Sequence, residues 1–231
     1  MSAPIFYISE PVTHPLITLS EETSRHVVQV LRMKKGEEIN LSDGKGTLCQ
    51  TAIVNDHKKS CTVKVLDTKY EVRNTKEVSI GISLLKNTSR FEWFLEKATE
   101  IGVSEIIPLL CDRTEKQHFR FERMNNILIS AMLQSQQYWL PKLHEPVAFN
   151  QAISSTSYKV KLIAHCEKEQ KQNVKDYSNS SSTQIVIGPE GDFSPEEIEA
   201  ALQLNYLPVT LGQTRLRTET AGVVAAALLC S

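Results

Sequence analysis

Through residues 1–70 the chain alternates short runs of apolar and β-branched positions with turn signals, among them Ile39-Asn40-Leu41-Ser42 and Thr62-Val63-Lys64-Val65-Leu66. Asp43-Gly44-Lys45-Gly46 lies between apolar stretches as a hairpin turn does, because glycine reaches positive φ without a steric cost. This pattern predicts a small β domain over 1–70, interrupted by one helix over 21–33 whose Val27, Val30 and Leu31 share a face. Residues 71–77 are charged and poor in large apolar side chains, and read as a linker.

From residue 78 the period changes. Strand patterns at 80–85, 105–109, 160–165, 184–187 and 208–211 alternate with helical stripes at 91–101, 121–137, 195–205 and 219–229. Gly102 stands where a helix C′ glycine belongs, and serine-rich loops are expected at 154–157 and 178–183. Strands alternating with helices predict an α/β domain over 78–231, built on a mostly parallel sheet covered on both faces.

Composition changes this picture little. A hydrophobic share of 41% and a charged share of 23% are those of a globular protein with a real core. Charge argues against a broadly basic nucleic-acid binder: the net value is -1, so any RNA surface must be a local patch such as Arg25, His26, Arg32, Lys34 and Lys35. The five cysteines are scattered with no C-x-x-C pair, which predicts reduced thiols and no metal. The apolar run 221–230 is far shorter than the roughly 20 residues that cross a bilayer. With no basic-then-apolar leader pattern, the expectation is a cytoplasmic protein without a membrane partner.

Two segments carry the candidate chemistry. In Ile187-Gly188-Pro189-Glu190-Gly191-Asp192-Phe193-Ser194-Pro195-Glu196-Glu197, Ser194 suits an N-cap, Pro195 the first helical position and Glu197 a capping box. Its glycines therefore occupy a loop at the carboxyl end of a strand, where open α/β sheets bind ligands. Leu211-Gly212-Gln213-Thr214-Arg215-Leu216-Arg217-Thr218-Glu219-Thr220-Ala221-Gly222 has the same placement, before a helix rich in small residues. Neither loop is a G-x-G-x-x-G or a P-loop, so nicotinamide and nucleoside-triphosphate enzymes lack their fingerprint.

These two segments, together with Lys97-Ala98-Thr99-Glu100-Ile101-Gly102-Val103-Ser104-Glu105-Ile106-Ile107-Pro108, closely resemble the RsmE family, 16S ribosomal RNA uridine-N3 methyltransferases of the SPOUT class. Arg25-His26, Val30-Leu31-Arg32, Gly36 and Asp43-Gly44 resemble that family's PUA-like RNA-binding β-barrel. The resemblance implies a carboxyl-terminal domain with a deep trefoil knot, which ordinary topology rules disfavour. It further implies S-adenosylmethionine as cofactor, 16S rRNA in the small ribosomal subunit as partner, and a homodimer. Carried over by position, the cofactor site comprises Gly188, Pro189, Glu190 and Gly191, then Leu211, Gly212, Leu216, Arg217, Thr218, Glu219 and Ala221, with His165 and Cys166 from a third loop. Arg25, His26, Arg32 and Lys34 are the RNA-binding candidates. Where the family often has Gln-Ser-x-Arg before a proline, this chain reads Gln134-Ser135-Gln136-Gln137, which removes one possible phosphate contact.

Methylating uridine N3 requires loss of a weakly acidic ring proton and stabilisation of the anion that forms. Arg217 is the candidate for charge stabilisation, and Glu219 or Glu190 for the base. The rival expectation is a non-catalytic RNA-binding or ribosome-assembly factor of the same fold; an enzyme acting on a small nucleotide leaves the β domain without a role.

Overall fold

Two sheets organise the computed structural model, which describes residues 3–115, 118–167 and 171–231. The chain divides into one unit of residues 1–73 with 132–140, and a second of 74–131 with 141–231.

In the first unit, β1 (Ile5–Tyr7), β2 (Leu16–Thr18), β3 (Glu38–Ser42), β4 (Thr47–Asn55) and β5 (Thr62–Tyr70) form a sheet of order β1-β3-β4-β5-β2. Its core gathers Phe6, Val27, Ile39, Leu41, Ile53 and Val63, in which the strand residues are alternate positions that the strand period places on one face. The β3–β4 hairpin falls at Asp43–Gly46 as the sequence predicts: Gly44 and Gly46 have φ of 67° and 93°, and Asp43 Oδ1 accepts the Lys45 and Thr47 amides at 2.8 and 3.1 Å. Gly46 is required twice over. Beyond its left-handed backbone, a Cβ there would lie 2.6 Å from the Trp139 ring, and the segment bearing Trp139 pairs with the hairpin through Gly46 N–H to Tyr138 O and Leu140 N–H to Gly44 O, both 2.8 Å.

The predicted helix over 21–33 is shorter and irregular. α1 (Glu21–Arg25) starts from the Ser20 cap and widens into a π-turn over His26–Val30 before Arg32 adopts φ 58°. Residues 132–140 pack with this unit, whereas the periodicity alone extends the second-domain helix to 137.

The second unit contains β6 (Glu77–Ser83), α2 (Thr88–Ile101), β7 (Glu105–Leu110), α3 (Phe121–Gln134), β8 (Lys142–Leu143), β9 (Val147–Ala148), α4 (Phe149–Ser154), β10 (Val160–Ala164), β11 (Gln172–Asn173), β12 (Ser182–Ile187), α5 (Pro195–Gln203), β13 (Leu207–Thr210) and α6 (Thr218–Cys230). The strands run in the order β11-β13-β10-β12-β6-β7-β8 with β9 beside β7, and every pair among them is parallel. Helices cover the sheet, and the near-continuous apolar strands β6, β7 and β12 follow from burial on both faces. One core packs Phe149, Ile153, Ile163, Val186, Phe193, Ile198 and Tyr206. Elsewhere α6 packs on α2 and β6, and only glycine fits at 222, where a Cβ would lie 2.5 Å from the Phe94 ring.

The local signals act as expected. Gly102 caps α2 with φ 97°, and Ser194 and Glu197 form the reciprocal capping box of α5, with Pro195 at its start. Part of the serine-rich stretches is ordered into secondary structure instead: Ser154 closes α4 and Ser182 opens β12.

Candidate cofactor site

The parallel strands β10, β12 and β13 end side by side, and their carboxyl-terminal loops enclose a cavity of about 690 Å³, within the range of roughly 300–1,000 Å³ usual for small-molecule sites. Every cofactor candidate named from the sequence lines it except Gly191 and Glu219. The loop after β10 brings His165 and Cys166, the loop after β12 Gly188 to Glu190, and the loop after β13 Leu211 to Thr218.

Side chains lock these loops together. The buried Thr218 hydroxyl donates to Gly188 O at 3.0 Å, joining the β12 loop to the start of α6. A Cβ on Gly188 would meet the Phe193 amide nitrogen and ring at 3.1 Å, so glycine lets the loop fold back on its own core residue. Asp192, not singled out by the sequence, also lines the cavity: its Oδ2 accepts the Cys166 amide at 2.8 Å and its backbone is left-handed at φ 66°. Lys171, a further wall residue without a sequence signal, donates to the carbonyls of His165 and Glu167.

Desolvation at the cavity wall and then the Asp192 carboxylate push the Cys166 thiol upward, against Arg215 and Lys171. This shift favours the neutral thiol over the thiolate. Arg217 precedes α6, exposed and on the cavity wall, and its guanidinium makes no hydrogen bond or ion pair among the described residues. Glu190 is likewise exposed on the wall. Glu219 is directed elsewhere: it is buried with Oε1 3.6 Å from Arg90 Nε of α2, and its Oε2 has no hydrogen-bond partner among the described residues. Gly191 contributes backbone, its carbonyl accepting Arg113 Nη1 at 2.7 Å.

The set suits S-adenosylmethionine. Ile187, Val209, Leu211, Leu216 and Ala221 offer an apolar wall for an adenine, Asp192 and Glu190 offer acceptors for hydroxyls and cationic groups, and Lys171 and Arg215 offer cations for a carboxylate. Among the described residues no group of three or more His, Cys, Asp and Glu is placed to hold a metal ion, and no helix is long and apolar enough to cross a membrane.

In the first unit, Arg25, His26, Arg32, Lys34 and Lys35 lie along the short helical stretch and the segment leading into the turn at Gly36. Two of the five have carboxylate partners among the described residues, Arg25 with Glu21 and Lys34 with Asp56 at 3.9 Å, exposed pairs that are worth little and exchange readily for phosphate. Gln137, where the family often has arginine, donates to Ser135 Oγ at 3.1 Å.

Comparison with known proteins agrees with this arrangement. Residues 72–230 match the model of an RNA methyltransferase domain and residues 19–66 that of an RNA methyltransferase PUA domain. The ribosomal RNA small subunit methyltransferase E of Synechocystis is 31% identical, over 94% of this chain and 74% of that protein. A crystal structure of a probable rRNA methyltransferase from Porphyromonas gingivalis superposes with a TM-score of 0.90 at 36% identity, covering 96% of this chain and 95% of that one. The Neisseria gonorrhoeae ribosomal RNA small subunit methyltransferase E, solved with bound S-adenosyl methionine, gives 0.87 at 28% identity, covering 98% and 96%. An RNA methyltransferase domain with a cavity at the ends of its parallel sheet, in a chain that also carries a PUA-like β unit, is the SPOUT-type architecture, and the chain belongs to the ribosomal RNA small subunit methyltransferase E family.

Proposed function

We propose that this protein transfers the methyl group of S-adenosylmethionine to N3 of a uridine in 16S rRNA, acting as a homodimer on the small ribosomal subunit. One observation carries the reading: the two loops that the sequence marks as family signatures, joined by the loop after β10, line one cavity of suitable size. When bound, S-adenosylmethionine supplies an electrophilic methyl group on a sulfonium. The chain holds it with the backbone of Gly188 to Glu190 and of Leu211 and Gly212, with Leu216 and Ala221 against its apolar part and His165, Cys166, Pro189 and Thr218 completing the wall.

Arg217 stabilises the negative charge that develops on the uracil as N3 loses its proton, aided by the positive end of α6. Glu190 accepts that proton, since its carboxylate lies on the cavity wall. Glu219 serves instead by pairing with Arg90 and so fixing the start of α6. The target nitrogen lies on the Watson–Crick edge, so the base enters unpaired.

Binding of S-adenosylmethionine is expected to persist in excess chelator, which calorimetry reads directly; loss of binding on metal removal contradicts the metal-free site. For RNA, Arg25, His26, Arg32 and Lys34 supply backbone contacts from the PUA-like unit. Arg25→Ala combined with Arg32→Ala is then expected to weaken RNA binding and lower the slope of log K against log salt by about 0.7 to 0.9 for each phosphate no longer neutralised, leaving cofactor affinity unchanged. An unchanged slope returns these arginines to the solvated surface.

A further inference from the structure

We propose that Arg113, in the loop after β7, is a positioning residue that holds the β12 loop in its cofactor-binding conformation. The observation is a clamp centred on Asp192. Asp192 carries a Cβ yet sits at φ 66°, a conformation that costs energy and persists only where its surroundings over-determine it. Arg113 Nη1 donates to the carbonyls of the residues on either side of it, Gly191 at 2.7 Å and Phe193 at 3.3 Å. The aliphatic stem of Arg113 also crosses Gly191, where an added Cβ would lie 3.4 Å from Arg113 Cδ.

The neighbouring contacts fix the platform from which Arg113 reaches. Ser194 Oγ donates to Asp112 Oδ2 at 2.7 Å and the Asp112 amide donates to Glu197 Oε1 at 2.9 Å, tying the β7 loop to the cap of α5. On the opposite side Asp192 Oδ2 takes the Cys166 amide. The loop is therefore gripped from β7 and from β10, and the β10 grip belongs to a residue that lines the cavity while the β7 grip does not. Freed from Arg113, the two carbonyls lose their common donor and the peptide units around Asp192 relax from the left-handed turn, moving the cavity wall at Pro189, Glu190 and Asp192 without touching the wall formed by the β13 loop.

The inference rests on the cofactor reading above, and two measurements separate them. Arg113→Met keeps the stem and removes the donors. In this variant the dissociation constant and KM for S-adenosylmethionine are expected to rise about tenfold, as befits the removal of a charged hydrogen-bond donor at a partly solvated site. The kcat at saturating cofactor and the KM for small-subunit RNA stay within about threefold, and Arg113→Lys recovers part of the affinity. A merely structural role lowers the melting temperature without this split. Amide hydrogen exchange over residues 188–194 tests the clamp whatever the ligand is: the variant is expected to exchange faster there and unchanged over 211–218. Should Arg113→Met fail to fold, Arg113→Gln carries the same two readings. Cofactor affinity within about twofold of the parent together with unchanged exchange overturns the clamp, as does a defect confined to the KM for RNA. Failure of the parent protein to bind S-adenosylmethionine, with faster exchange in the variant, overturns the cofactor reading alone.

Discussion

Replacing Arg217 with alanine is expected to slow methyl transfer by about a hundredfold to a thousandfold, the usual consequence of removing one donor aimed at developing negative charge. The side chain stands at the junction of the two elements that matter, on the cavity wall and at the residue before α6, and no carboxylate neutralises it among the described residues. A guanidinium placed this way is available to a substrate that acquires charge only as the reaction proceeds. Cofactor affinity should change much less than turnover, because the interaction is made mainly in the transition state. Arg217→Lys retains the charge but loses the planar fork of donors, and should fall between alanine and the parent. Single-turnover methylation of small-subunit particles, alongside calorimetry with the cofactor, distinguishes the outcomes. A near-normal rate in Arg217→Ala, or a defect wholly in cofactor affinity, makes Arg217 a structural member of its loop.

Gly188→Val is expected to abolish measurable cofactor binding while the protein remains folded. Even a single Cβ there lies 3.1 Å from the amide nitrogen and ring of Phe193, and that ring is 2% exposed within the core beneath the loop. The neighbour cannot retreat into a close-packed core, so the loop must move instead. From sequence, Gly191 is its equal, but the structure separates the two. A Cβ on Gly191 meets only Arg113, at 3.4 Å, and Gly191 does not line the cavity, so Gly191→Val should weaken binding less. Titration of both variants, checked by their melting curves, reads the difference; normal binding by Gly188→Val contradicts the loop assignment.

The sequence is most legible where a residue type has one physical use. Ser194, Pro195 and Glu197 mark the start of α5 because a cap, a fixed φ and a reciprocal bond each act locally, and the structure contains all three. Gly102, Gly44 and Gly46 are equally local signals. The cavity wall is legible from two loops at strand ends and from family resemblance, which is why Thr218 and Leu216 stand out in the chain without any knowledge of their neighbours. Arg113, Asp192 and Lys171 are not legible as site residues. Their roles depend on contacts between loops far apart in the chain, such as Arg113 with Gly191 and Asp192 with Cys166, and no local period encodes those. Glu219 shows the converse: its motif places it at the cofactor, whereas its position on α6 turns the carboxylate toward Arg90 of α2. The π-turn at His26–Val30 and the packing of residues 132–140 with the β unit are hidden for the same reason, since tertiary contacts override a helical stripe.

Methyl transfer to uridine N3 is read by incubating the purified protein with labelled S-adenosylmethionine and small ribosomal subunits that have never been methylated at the target, then mapping the product nucleoside. The predicted result is one labelled uridine in 16S rRNA carrying the methyl group on N3. Label on another atom or another base, or tight binding of RNA with no transfer, contradicts it and leaves the rival of a non-catalytic RNA-binding factor.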